Sequence, residues 1–108
     1  MALKEFNPDA FERRAAEVAD VLRALGNERR LMILCKLVEW GEASVTTLAE
    51  EVGLSQSALS QHLAKMRAEG LVTYRRESQT LWYRIADRRL EQLFATLHRL
   101  YCTPPKRR

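Results

Sequence analysis

Two sets of side chains in this sequence could do chemistry. One is a run of hydrogen-bonding and basic groups: Gln56, Ser57, Ser60, Gln61, His62, Lys65 and Arg67. Short amide and hydroxyl side chains suit base edges, and basic ones suit phosphates. Gln56 and Gln61 best match adenine, whose major-groove edge sets a donor beside an acceptor. The other set is the pair of thiols, Cys35 and Cys102. Thiols are nucleophilic as thiolates and can be redox-active. An ordinary disulfide needs Cα atoms roughly 4.4–6.8 Å apart. Each set also has a plainer reading. The polar run could be the solvated face of a surface helix, Cys35 a small buried hydrophobe and Cys102 an incidental thiol near a helix end.

The stretch that must position the polar run is residues 44 to 69, which reads as two short helices joined by a tight turn. Val45, Leu48, Ala49 and Val52 recur at helical spacing and give the first helix one buried face. Gly53 ends it in the left-handed conformation that helix C-termini favour, and Leu54 fills the angle. Ser55 caps the second helix. Leu59, Leu63 and Met66 face inward with Ala58 beside them, which leaves the seven polar residues available to solvent. A helix-turn-helix with a polar outer face suits the major groove of DNA.

After Gly70 the period changes from helix to strand. Leu71 to Arg75 and Thr80 to Ala86 read as two strands around a polar tip, Arg75 to Gln79. Val72, Tyr74, Leu81, Tyr83 and Ile85 alternate with polar neighbours. A hairpin at about 71–86, directly after a helix-turn-helix, is a wing. Arg75 and Arg76, and less strongly Arg84, are its candidates for phosphate or minor-groove contact.

Three further helices frame this unit. The first, at about 9–25, starts at Asp9 or equally well at Asn7 followed by Pro8. Its apolar stripe is Phe11, Ala15, Val18, Ala19, Leu22 and Leu25. The second runs from after Asn27 to about Trp40, with Leu31, Leu34, Cys35 and Val38 on one face, so Cys35 is expected to be buried or half-buried. The last, at about 87–102, is capped by Asp87, carries Leu90, Leu93, Phe94, Leu97, Leu100 and Tyr101 on one face, and stops at Thr103 and Pro104. The winged unit can bury a core by itself. The apolar surface left on the first and last helices is therefore expected to pair two copies, placing two recognition helices about one DNA turn, roughly 34 Å, apart over an inverted repeat.

The fold class expected is mainly α, a winged helix-turn-helix of five helices and a two-stranded hairpin, homodimeric. The 108 residues, 46% hydrophobic, make one domain, 1–108, and the net charge of +4 fits a polyanionic partner without requiring one. No apolar run approaches a membrane span and the N-terminus lacks a secretory core, so a cytoplasmic location without membrane association is expected. In a reducing cytoplasm two distant cysteines rest as thiols unless they are redox-active. No nucleophile–base arrangement, phosphate loop or metal cluster is present, so neither catalysis nor a resident cofactor is expected.

Three stretches carry a specific resemblance: LRALGNERRLMILCKL (22–37), TLAEEVGLSQSALSQHLAKMRAEGLV (47–72) and WYRI (82–85). Over nearly its whole length the chain resembles the ArsR-type winged-helix repressors. The resemblance implies a homodimer that binds operator DNA and releases it when an inducer binds. Many members sense metals, but their ligand patterns are broken here. Ser44, Thr46 and Thr47 stand where one site has a Cys-x-Cys-x-x-Asp pattern. Asp87, Arg89, His98 and Tyr101 stand at another, with arginine and tyrosine in ligand positions. Soft metals need thiolate or imidazole, so no metal is expected. The cysteine pair resembles the subgroup of the biofilm growth-associated and sulfide-responsive repressors. That resemblance implies a persulfide, polysulfide or oxidant as inducer and a disulfide or polysulfide bridge between Cys35 and Cys102 that weakens DNA binding. A hundredfold weakening corresponds to a coupling of only about 2.7 kcal/mol. Two alternatives stay open: a metal- or metalloid-responsive repressor using Cys35, Cys102 and His98, and a winged-helix module that binds protein.

Overall fold

The computed structural model describes residues 4–102. The expected stop at Thr103 and Pro104 lies outside the described residues. The chain order is α1 (Pro8–Leu25), α2 (Glu28–Trp40), β1 (Ala43–Ser44), α3 (Val45–Val52), α4 (Gln56–Ala68), β2 (Val72–Glu77), β3 (Thr80–Ile85) and α5 (Arg88–Tyr101).

Local chemistry sets the helix starts. Asn7, Asn27, Ser44, Ser55 and Asp87 each accept a hydrogen bond from a backbone N–H of the first turn of their helix. Asn7 rather than Asp9 is thus the cap of α1, with Pro8 at the first helical position, where its missing N–H costs nothing. At the turn between α3 and α4, Gly53 sits at φ 71° and the Leu54 N–H reaches back 3.0 Å to the Ala49 carbonyl. That bond closes a Schellman-type end and drops Leu54 against the core.

The core centres on α2. Ile33, Leu34 and Leu37 meet Leu48 and Ala49 of α3, Leu59, Leu63 and Met66 of α4, Val72, Tyr83 and Ile85 of the sheet, and Leu90 and Phe94 of α5. Each fully buried aliphatic side chain stabilises the fold by about 1.5–3 kcal/mol.

The structure departs from the sequence reading in three places. The sheet has three strands, in the order β1-β3-β2, all antiparallel: Ala43 pairs with Tyr83 and Ser44 with Trp82. A two-residue strand is too short to leave an alternating pattern. The hairpin tip is also tighter than expected. Arg75, Arg76 and Glu77 are paired in the ladder, and only Ser78 and Gln79 turn the chain. Finally, α1 buries only Leu25, with Val18, Val21 and Ala24 half-buried, while Phe11 and Leu22 stay 49% and 58% exposed. Its expected stripe mixes residues that touch this chain's core with residues that do not.

Candidate nucleic-acid interface

Helix α4 presents three flanks besides its buried one, because residues three, four or seven apart share a side. Ser57, Gln61, Ala64 and Ala68 form the outermost stripe, and all are exposed. Gln56, Ser60 and Arg67 lie on the flank toward the hairpin and are exposed too. The opposite flank carries Ala58, His62, Lys65 and Glu69. His62 is half-buried and, with Lys65 and Glu69, lines a recess of about 940 Å³ against the end of α1 and the start of α5. Ser57, Ser60 and Gln61 therefore face out together, with Gln56 beside them, whereas His62 and Lys65 look toward the body of the domain.

Strand parity separates the two wing arginines. Val72, Tyr74 and Arg76 share one face of β2, and Thr73, Arg75 and Glu77 the other. The face of Tyr74 and Arg76 is the one turned to α4, because the Arg67 guanidinium lies over the Tyr74 ring at 4.4 Å. Tyr83 packs against Tyr74 with ring centroids 5.2 Å apart. Burial pushes the Tyr83 phenol up and the nearby Tyr74 adds to this, while the Arg67 charge opposes it. Arg75 faces the other way. Its guanidinium sits 5.7 Å from the Trp82 ring and donates to both carboxylate oxygens of Glu42. Those hydrogen bonds hold the Glu42 carboxyl below the usual range. Arg84 is exposed on that same side.

Several positioning contacts have no signal in the sequence. Arg30, at the start of α2, donates to the Ala24 carbonyl at 3.1 Å and to Glu69 at 2.8 Å. It thereby ties the end of α1 to the end of α4. Arg89 donates to the α5 cap Asp87 at 2.7 Å and to Glu17 of α1 at 3.3 Å. The Ser44 and Thr47 hydroxyls bond each other at 3.2 Å. Among the described residues no three His, Cys, Asp or Glu side chains are grouped to hold a metal ion, and no helix is long and apolar enough to cross a membrane.

Both cysteines are free. Cys35 is half-buried on α2, packed against the core, and α2 packs in turn on α5. Cys102 is exposed at the C-cap of α5, where its backbone N–H donates to the His98 carbonyl at 2.8 Å.

Residues 27–74, from the start of α2 through α4 into β2, match the model of the bacterial regulatory proteins of the arsR family. The chain is 46% identical over 96 residues to the transcriptional activator HlyU of Vibrio cholerae, covering 89% of this chain and 88% of that protein. It is 41% identical over 96 residues to a biofilm growth-associated repressor of Xylella fastidiosa, covering 89% and 83%. A solved structure of reduced HlyU from Vibrio cholerae superposes with a TM-score of 0.79 at 46% identity over 87% of this chain and 98% of that one. The transcriptional repressor BigR from Xylella fastidiosa superposes at 0.83 with 37% identity over 92% and 100%. The two relatives each cover 89% of the chain, and the chain belongs to the ArsR family of winged-helix transcriptional regulators.

Proposed function

We propose that this chain is a homodimeric, cytoplasmic repressor that binds an inverted-repeat operator and releases it when Cys35 and Cys102 are linked by reactive sulfur. The observation that supports DNA reading is the outward convergence of Gln56, Ser57, Ser60 and Gln61 beside Arg67 and Arg76. Amides and hydroxyls meet base edges, and the arginines meet phosphates. A protein-docking face would favour aromatic and apolar anchors over such small polar groups.

The exposed apolar side chains outside the winged unit support pairing of two copies. Phe11 and Leu22 of α1 and Leu100 and Tyr101 of α5 remain 49% to 82% exposed. A second copy is the simplest cover for them, and a two-fold axis then presents two α4 helices to one face of the duplex.

The sensing step uses only thiols and the persulfide. A cysteine thiolate attacks the outer sulfur of RSSH, forms a protein persulfide and expels RS⁻. The second cysteine then attacks that persulfide at its inner sulfur, closing a disulfide and releasing hydrogen sulfide. Two persulfidated cysteines instead close a trisulfide with loss of one hydrogen sulfide. The bridge would join α2, which lies beneath the reading head, to the end of α5, and so shift the two α4 helices relative to one another. One relative is named a repressor and another an activator. We favour repression because a bridge that weakens binding then turns genes on when sulfur stress appears.

The test is mass spectrometry on reduced protein treated with a low-molecular-weight persulfide or with peroxide, paired with DNA-release measurements. A Cys35–Cys102 link that requires both cysteines and weakens DNA binding about a hundredfold is expected, and its mass counts the sulfurs. Absence of any link, or equal affinity with and without it, would remove the sensor. Release by zinc, cadmium or arsenite would favour a metal-responsive reading.

A further inference from the structure

Arg67 differs from the other arginines that interact across the surface. Arg14, Arg23, Arg30, Arg75 and Arg89 each meet a carboxylate. Lys36 and Arg75 lie near tryptophan rings, and both also have carboxylate partners. Among the described residues Arg67 meets no carboxylate and instead lies over the face of Tyr74, at 4.4 Å. A ring face attracts a guanidinium through its quadrupole and fixes its plane, yet takes up none of its N–H donors. The cation is held in place with its hydrogen-bonding capacity intact.

The surroundings fix the ring as well. Tyr74 is opposite Tyr83 in the β2–β3 ladder, and the two rings pack at 5.2 Å. Tyr83 is only 8% exposed and belongs to the core. The chain of contacts therefore runs from the core through Tyr83 and Tyr74 to a free cation at the seam between α4 and the wing. Arg67 shares its α4 flank with Ser60, and Tyr74 shares its strand face with Arg76.

We propose that Tyr74 is a positioning residue for DNA binding: its ring, braced by Tyr83, holds the Arg67 guanidinium ready for a backbone phosphate at the edge of the groove that α4 enters. This inference rests on the DNA-binding reading above. A preset arginine loses less side-chain freedom on binding than a mobile one, so affinity is gained without a further contact. The plainer role for Arg67 is to complement the dipole at the end of α4, which requires no ring.

The experiment is a double-mutant cycle on the full chain, using labelled duplexes that the wild-type protein enriches from a random 30-base-pair pool. Affinity is read across a salt series. Arg67→Ala is expected to weaken binding about tenfold and to lower the salt slope by about one unit. Tyr74→Leu is expected to cost about fivefold with a similar fall in slope, and Tyr74→Phe to match wild type. The double variant Arg67→Ala/Tyr74→Leu is expected to lose about tenfold, because the ring acts through the cation. Losses that multiply to about fiftyfold, or a Tyr74→Phe variant as weak as Tyr74→Leu, would overturn the inference while leaving DNA binding intact. If Tyr74→Leu unfolds, Arg67→Lys decides: it keeps the charge and loses the planar fork, so a severalfold loss supports the positioning role and wild-type affinity ends it. A wild-type protein that enriches no duplex would overturn the DNA-binding reading itself, and this inference with it.

Discussion

The Arg75 guanidinium donates to the Glu42 carboxylate at 2.6 and 3.1 Å, tying strand β2 to the residue that leads into β1. Its neighbour Arg76 points to the opposite face of the hairpin, the face that α4 shares through Arg67 and Tyr74. Two adjacent arginines thereby face opposite sides of the hairpin.

Replacing Arg76 with alanine is expected to weaken binding to all sequences alike and lower the salt slope by about one unit. Replacing Arg75 with alanine is expected to leave the slope within about half a unit and to lower the melting temperature. Glu42→Gln should reproduce the Arg75→Ala effect on melting. Salt-dependent titration and thermal unfolding of the three variants check this; a full-unit slope change for Arg75→Ala would give that residue to the DNA.

The turn of the helix-turn-helix depends on backbone conformation at one residue. Gly53 has φ 71° with open space around the place a Cβ would occupy, so a substitution there is opposed by the dihedral and not by crowding. Gly53→Ala is expected to cost about 1–2 kcal/mol. Ser78 adopts φ 57° in the two-residue hairpin turn, where glycine is preferred. Ser78→Gly is expected to gain about 1 kcal/mol. Denaturant unfolding that moved both variants in the same direction would contradict these assignments.

Acid should loosen α1 from α5. The Arg14 hydrogen bond, with a further contribution from Arg89, holds Glu17 below the usual carboxylate range. Hydrogen bonds from Arg89 do the same for Asp87. A carboxylate whose folded pKa is lowered stabilises above its unfolded pKa and loses that contribution as pH falls through its folded value. Arg89→Met is therefore expected to melt below wild type at pH 7, with the gap closing below about pH 4. A gap of constant size down to pH 3 would show that the ion pairs are not its source.

The two thiols should react unequally. Cys102 is exposed and Cys35 half-buried against the core, and access governs thiol reaction rates. Brief alkylation of reduced protein is expected to label Cys102 several times faster than Cys35, as peptide mass spectrometry would read directly. Faster labelling of Cys35 would make it the first thiol to meet an inducer.

The parts of this molecule that were legible in its sequence are those whose causes lie within a few residues. Asn7 with Pro8, Ser55, Gly53 and Asp87 mark helix ends because a cap bonds to the next turn of its own helix. The inward set Leu59, Leu63 and Met66 follows from helical period, and the shared strand face of Val72 and Tyr74 from strand alternation. The outward placement of Gln56, Ser57, Ser60 and Gln61 was legible to the same depth, because they stay outward once the apolar set is inward. What only tertiary structure decided depends on residues that meet across long stretches of chain. Glu42 and Arg75 are 33 positions apart, Arg30 and Glu69 39, and Glu17 and Arg89 72. No local pattern pairs them, because a side chain's partner there is fixed by how whole elements pack. For the same reason the sequence could not foresee strand β1, the half-burial of His62 against the body of the domain, or the stacking that leaves Arg67 free to donate.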